Sequence, residues 1–176
     1  TTEQATPEQQ KILSRYVGWG GLADAFDPDK ESWSKEYAQL KELLTPEEYA
    51  AARGSTLNAH YTSPTVIKAI YEAVGRMGFE TGNILEPSCG VGNFFGMLPE
   101  RMAGSKLYGV ELDPITGRIA EQLYPKANIT VAGFETTDRR DFYDLAVGNV
   151  PFGQYQVNDK AYNKLGFNIH NYFFAK

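Results

Sequence analysis

The spacing of apolar residues along this chain changes character near residue 82. Before that point the apolar positions recur at helical intervals between polar ones. Thr6-Pro7-Glu8-Gln9 has the order of a helix start: a hydroxyl N-cap, proline at the first position and a glutamine three residues after the cap. That helix is expected to run to about Val17 and to stop at Gly18-Trp19-Gly20-Gly21. Trp33 to Leu44 predicts a second helix, and Thr45-Pro46-Glu47-Glu48 repeats the capping pattern for a third that ends at Arg53-Gly54. Ser63-Pro64 caps a fourth, in which Val66, Ile67, Ile70, Tyr71, Val74 and Met77 share one face.

After Gly82 short apolar blocks take over. Asn83-Ile84-Leu85-Glu86 reads as a buried strand, followed by a glycine turn and a helix through Phe94, Phe95 and Leu98. Leu107 to Glu111 predicts a second strand and Ile115, Ile119 and Leu123 a helix. Asn128-Ile129-Thr130-Val131 predicts a third strand and Tyr143 to Gly148 a fourth. Strands alternating with helices imply an α/β fold with a parallel sheet and right-handed crossovers. The chain thus divides into a helical N-terminal segment, 1–58, and an α/β core, 59–176. Four strands followed by helix-like residues up to Lys176 read as a sheet to be completed by further sequence, and a first residue other than Met reads as an excised piece.

Composition narrows the class. The 176 residues are 42% hydrophobic and 13% aromatic, which fits a globular core. No apolar run approaches the roughly 20 residues of a membrane span, and the polar start has no signal-peptide pattern. A lone cysteine, Cys89, excludes an internal disulfide and fits a reducing cytoplasm, with the thiol expected as a small buried residue. Two histidines, His60 and His170, give no metal-ligand cluster, and His170 is expected at the surface. A net charge of −5 argues against a strong sequence-independent grip on phosphates, leaving Arg139, Arg140, Lys160 and Lys164 as local basic candidates.

The loop Glu86-Pro87-Ser88-Cys89-Gly90-Val91-Gly92-Asn93-Phe94 joins the first strand to its helix. Gly90 and Gly92 let backbone approach a ligand closely, and the following helix end offers N–H donors. Without a Gly-Lys-Ser/Thr ending it is no triphosphate loop. Glu111, at the end of the second strand, stands where a carboxylate accepts ribose hydroxyls. An adenosine-containing cofactor follows. Glu86 repels a pyrophosphate at short range but suits the ammonium of the methionine part of S-adenosylmethionine. A fourth element is Asn149-Val150-Pro151-Phe152, a rigid turn after the last strand. It suits the methylation of a planar conjugated amino group such as adenine N6, whose lone pair is delocalised. The Asn149 side-chain carbonyl and the Val150 backbone carbonyl supply acceptors that localise the lone pair, and Phe152 stacks on the base.

Glu86…Gly90-x-Gly92, then Glu111-Leu112-Asp113, then Asn149-x-Pro151-Phe152 resemble the amino-methylating DNA methyltransferases, from about Asn58 to Lys176. The resemblance implies a Rossmann-like class I methyltransferase fold, S-adenosylmethionine as cofactor and methyl transfer to adenine N6 in DNA. By motif, Ala59-His60-Tyr61-Thr62-Ser63-Pro64 matches the family's segment before the first strand, with Tyr61 and Thr62 lining the methionine end. The cofactor loop comprises Glu86, Pro87, Ser88, Cys89, Gly90, Gly92, Asn93 and Phe94. Glu111 and Leu112 lie at the ribose, Phe134 and Glu135 at the adenine. Asn149, Val150, Pro151 and Phe152 form the catalytic turn, with Val150 where the family usually has Pro. Arg15-Tyr16-Val17-Gly18-Trp19-Gly20-Gly21-Leu22, taken with these motifs, is similar to the methylase portion of large methylase–helicase proteins of conjugative elements, which implies target-recognition and helicase regions downstream. Trp19 is read either as a cap on the pocket or as packing in the helical segment. Competing readings are methylation of a glutamine amide, cytosine N4 or RNA adenine, a non-catalytic scaffold, and more remotely a dinucleotide-dependent oxidoreductase.

Overall fold

The computed structural model describes residues 3–56 and 61–176. Three helices lead: α1 (Pro7–Leu13), α2 (Ser34–Leu43) and α3 (Pro46–Ser55). Both α1 and α3 start in capping boxes, on Thr6 with Gln9 and on Thr45 with Glu48. α1 ends at Leu13 and not near Val17: Arg15 and Tyr16 tighten the last turn with bonds to the carbonyls of Ile12 and Leu13. Ile12 and Val17 are 68% and 73% exposed, so a longer helix would gain no apolar burial. Two 3₁₀ turns, Ala23–Phe26 and Glu31–Trp33, precede α2. Phe26, Tyr49, Ala25 and Ala52 form a small apolar cluster of this segment, flanked by Trp19 and Trp33.

The α/β part follows as α4 (Pro64–Arg76), β1 (Asn83–Glu86), α5 (Asn93–Gly96), β2 (Lys106–Glu111), α6 (Pro114–Leu123), β3 (Asn128–Val131), β4 (Leu145–Ala146) and α7 (Ile169–Ala175). On α4, Ile67 and Tyr71 are buried, whereas Val66 and Met77, at the margins of the apolar stripe, are exposed. α5 is one turn long and does not reach Leu98, because Pro99 disfavours helical backbone at the residue before it. β4 pairs over two residues where a six-residue strand was expected, although the flanking amides of Asp144 and Val147 also donate to β1. No described helix is long and apolar enough to cross a membrane.

All strand pairs are parallel, in the order β3-β2-β1-β4. β1 is therefore central and buried on both faces. Ile84 points into a cluster with Ile67, Tyr71, Phe94, Met102 and Val147, and Leu85 into another with Val110, Phe134 and Tyr172. Chain order runs from β1 outward through β2 to β3, then crosses to the other side for β4. The reversal opens a crevice at the carboxyl ends of β1 and β4, the topological switch point where open α/β sheets bind ligands.

The helical segment rests on α6. The Gln10 side-chain amide donates to the Gln122 carbonyl, the Ala5 N–H donates to the Gln122 side chain, and Arg118 pairs with Glu48 of α3. These contacts bring α3 and the 14–21 loop beside the carboxyl end of β2.

Candidate active site

A cleft of about 810 Å³ opens at this switch point. The ends of four strands converge on it: Glu86 at the end of β1, Glu111 at the end of β2, Ala132 and Gly133 after β3, Asn149 after β4. The cofactor loop lies between the first two. Its Cys89 N–H donates to the Val110 carbonyl at 2.9 Å, and the Gly90 N–H donates to the Glu111 carboxylate at 2.8 Å. The other Glu111 oxygen accepts the Asp113 N–H at 2.8 Å. Asp113 caps α6, accepting from the Ile115 N–H and the Thr116 hydroxyl.

Gly90 and Gly92 both occupy the left-handed region, at φ 57° and 85°. Their surroundings differ. Gly90 lines the cleft, while Gly92, expected to face the ligand, does not line it and instead makes room for Tyr124. A Cβ at residue 92 would stand 2.5 Å from a Tyr124 ring carbon. Gly92→Ala therefore combines a strained φ with a ring clash and is expected to lower stability by about 2–4 kcal/mol in urea unfolding. Wild-type stability in that variant would show that the loop relaxes freely.

Glu86 is the electrostatic centre of the cleft. It is 3% exposed, and its Oε2 has no hydrogen-bond partner among the described residues. Burial, and secondarily the nearby Glu111 carboxylate, hold its carboxyl well above the ordinary value. Glu111 is raised as well, chiefly by burial, with the Asp113 and Gly90 N–H groups pulling it back. A buried acceptor without a donor, beside a second, half-buried carboxylate, is costly alone and favourable once a cation lies against it. Gly148 lets β4 close on this group: a Cβ there would lie 3.2 Å from Glu86 Cγ.

The Asn149–Phe152 turn is tied to the Glu86–Phe94 loop, since the Ser88 hydroxyl donates to the Asn149 backbone carbonyl at 3.1 Å. Asn149, Val150, Pro151 and Phe152 line the cleft, Asn149 with an exposed side chain and Phe152 62% exposed. Tyr61, Thr62, Pro87, Ser88, Cys89, Asn93, Phe94, Leu112, Phe134 and Glu135 line it too, so every expected site residue except Gly92 meets in one place. Ala59 and His60 lie outside the described residues. Phe134 stacks on Phe173 at 5.0 Å, which fixes the third-strand wall. Cys89 is buried and burial pushes its thiol up, so it is not a reactive thiolate.

Several lining residues carry no sequence signal. Ala51, Gly54 and Ser55 arrive because α3 docks on α6 across a long sequence separation; Tyr155 and Phe173 arrive from the chain after Phe152. Asp113 was within reach, since Asp113-Pro114 is an N-cap followed by proline at the first helical position. His170, expected at the surface, is half-buried, with Nδ1 buried and without a partner among the described residues. Arg139 lies over the rings of Phe142 and Tyr108, at 4.9 and 5.3 Å. Among the described residues no group of three His, Cys, Asp or Glu side chains could hold a metal ion.

A Listeria monocytogenes protein described as a class I S-adenosylmethionine-dependent methyltransferase superposes with a TM-score of 0.52, at 15% identity, over 87% of this chain and 50% of that one. The chain has the class I methyltransferase fold. Two relatives bear on it in sequence. The Type II methyltransferase M.CvrRI of Paramecium bursaria Chlorella virus XZ-6E is 35% identical over 92 residues, 52% of this chain and 24% of that protein. The Defense against restriction protein B of Escherichia phage P1 is 28% identical over 151 residues, 84% of this chain and 5% of that protein. The chain thus spans a quarter or less of the curated relatives it matches. No family model matches it. Within the methyltransferase fold, the four strand ends that meet at the cleft are β1 to β4, with Glu86, Glu111 and Asn149 at three of them.

Proposed function

We propose that this chain is the cofactor- and acceptor-binding part of an S-adenosylmethionine-dependent methyltransferase acting on the exocyclic N6 amino group of adenine in DNA. The observation that carries the reading is the unpartnered, buried Glu86 oxygen in the same cleft as Asn149. The donor set fits the cofactor. Glu86 would hold its ammonium, Glu111 its ribose, Tyr61, Thr62 and the Glu86–Phe94 loop its methionine end, and Phe134 with Glu135 its adenine. Bound there, S-adenosylmethionine supplies a methyl group already made electrophilic by its sulfonium.

The remaining work belongs to the acceptor turn. The Asn149 side-chain carbonyl and the Val150 backbone carbonyl accept the two N–H groups of the target amine and localise its lone pair in line with the methyl group. Phe152 offers a face on which a base swung out of its stack can lie. No strong general base is required, because the proton leaves to solvent after transfer. The relation to a Type II methyltransferase supports the methyl-transfer reading, and the small share of the phage protein that the chain covers leaves room for further regions in one polypeptide.

The test is incubation with methyl-labelled S-adenosylmethionine and duplex DNA, then mass analysis of nucleosides and protein. Label in N6-methyldeoxyadenosine is expected. Label in N4-methyldeoxycytidine or in protein would move the substrate to another planar amine. Calorimetric binding without any transfer would favour a scaffold.

A further inference from the structure

Between Phe152 and the 3₁₀ turn Asn163–Leu165 the chain forms neither helix nor strand, yet it is firmly held. The Ile169 N–H donates to the Tyr155 carbonyl at 2.9 Å, and the Gln156 side-chain amide donates to the Gly166 carbonyl at 3.1 Å. The segment therefore folds back along itself. At its middle the buried Asp159 carboxylate accepts from the Tyr172 hydroxyl and from Lys176 Nζ, both at 2.8 Å. Lys176 also donates to the Glu135 carbonyl at 3.4 Å, which ties the segment to the third-strand wall of the cleft. A long irregular segment fixed in this way is ordered for the side chains it displays.

One of these is an aromatic ring. Tyr155 lines the cleft and is 54% exposed. A Cβ at residue 153 would stand 2.8 Å from Tyr155 Cε1, which places the ring against the backbone adjoining Phe152. Two rings three residues apart thus face one cleft. Every nucleobase has a flat face to stack on such rings, and a glutamine side chain has no comparable face.

The other displayed feature is charge. Residues 149–176 hold one acid, Asp159, against three lysines, in a chain whose net charge is −5. Asp159 is taken up by Lys176, so the exposed Lys160 and Lys164 have no carboxylate partner among the described residues. Lys164 stands on the returning limb, two residues before the Gly166 that Gln156 holds.

We propose that residues 153–168 form the surface that receives the DNA strand carrying the methyl-accepting base: Tyr155 adds a second aromatic face to that of Phe152, and Lys160 and Lys164 meet the strand's phosphates. The proposal rests on the acceptor reading of Asn149 and Phe152 given above. It narrows that reading from any planar amine to one borne by a nucleic acid strand.

Fluorescence anisotropy on the 176-residue chain tests it, with S-adenosylhomocysteine present and a labelled single strand of about 12 nucleotides containing one central adenine. A single strand removes the cost of unstacking the base. Tyr155→Ala is expected to weaken strand binding about 5- to 100-fold without altering its salt dependence. Tyr155→Phe, which keeps the ring, is expected to stay within about threefold of wild type. Lys160→Gln combined with Lys164→Gln is expected to flatten the slope of log affinity against log salt by about 1.4, the release expected for two phosphate contacts on a single strand. Calorimetric affinity for S-adenosylhomocysteine should stay within about twofold in every variant, since these side chains are exposed and lie outside the proposed cofactor contacts. No strand binding by the wild-type chain, or binding indifferent to Tyr155 and to both lysines, would overturn the surface. Loss of S-adenosylhomocysteine affinity in Tyr155→Ala would overturn the role of Tyr155 by moving it to the cofactor half. Transfer of labelled methyl to the same strand separates this proposal from the reading beneath it. Label in adenine undiminished in all three variants overturns the surface alone. Strand binding that needs Tyr155 and the lysines, without label in adenine, overturns adenine methylation alone.

Discussion

Asn149→Ala is expected to bind S-adenosylhomocysteine within about twofold of wild type and to transfer methyl roughly 10²- to 10³-fold more slowly, the cost typical of losing one transition-state hydrogen-bonding group. The separation of binding from transfer follows from position. The Asn149 side chain is exposed at the acceptor end of the cleft, whereas the tie that holds its backbone, from the Ser88 hydroxyl, uses the main-chain carbonyl and survives the substitution. Truncation of an exposed side chain costs little stability, within about 0.5 kcal/mol, so loss of rate will not be a folding defect. Single-turnover transfer with saturating cofactor is the measurement. Undiminished transfer would remove Asn149 from the mechanism, and a parallel loss of cofactor affinity would reassign it to the binding site.

Glu86→Gln is expected to weaken S-adenosylhomocysteine binding about 10- to 100-fold while making the ligand-free chain more stable at pH 8. The first effect is the loss of a charge-assisted contact to the ligand's ammonium. The second follows from linkage. Burial and the Glu111 carboxylate raise the folded-state pKa of Glu86 above the ordinary 4.5, and burial raises that of Glu111. For an acid shifted upward, the folded state binds the proton more tightly than the unfolded one. The stabilisation is then complete below about pH 4.5 and lost as pH rises through the folded pKa. The wild-type chain without ligand should lose thermal stability over that rise, and the Gln variant should lose less. Ligand affinity should move the opposite way in the wild type, increasing as Glu86 ionises. Melting curves between pH 5 and 8, with and without S-adenosylhomocysteine, decide it. Identical slopes in the two proteins would show that Glu86 is not the group that titrates.

Most of the site was legible because its residues sit at strand ends that local signals mark well. Ile84, Leu85 and Val110 are apolar on both faces of central strands, and the glycines and prolines that follow fix where each strand stops. Capping residues marked the helix starts for the same reason, since the Thr6, Thr45 and Ser63 side chains accept from amides three residues on. Helix ends were less legible. Leu13 ends α1 where further turns would bury nothing, and Pro99 cuts α5 short of Leu98. Contacts made by docking were invisible. Ala51, Gly54 and Ser55 reach the cleft only through pairings such as Glu48 with Arg118, which no spacing rule connects. Gly92 shows the converse: its type and position suggested ligand contact, and the space it leaves is filled by Tyr124.

The two halves of the cleft are mounted on strands of unequal grip. Glu86 ends β1, which is bonded along its length to β2 on one side and to β4 on the other. Asn149 follows β4, an edge strand with two paired residues. Opening β4 therefore breaks few backbone bonds and leaves the central strands intact, a partial unfolding far cheaper than the global one. Amide protons from Asp144 to Val147 should accordingly exchange with deuterium ahead of those of Ile84 to Glu86. On the proposed reading, the half that would hold the cofactor is a fixed base plate, while the half that would hold the methyl acceptor has the give that admitting and releasing a bulky substrate demands.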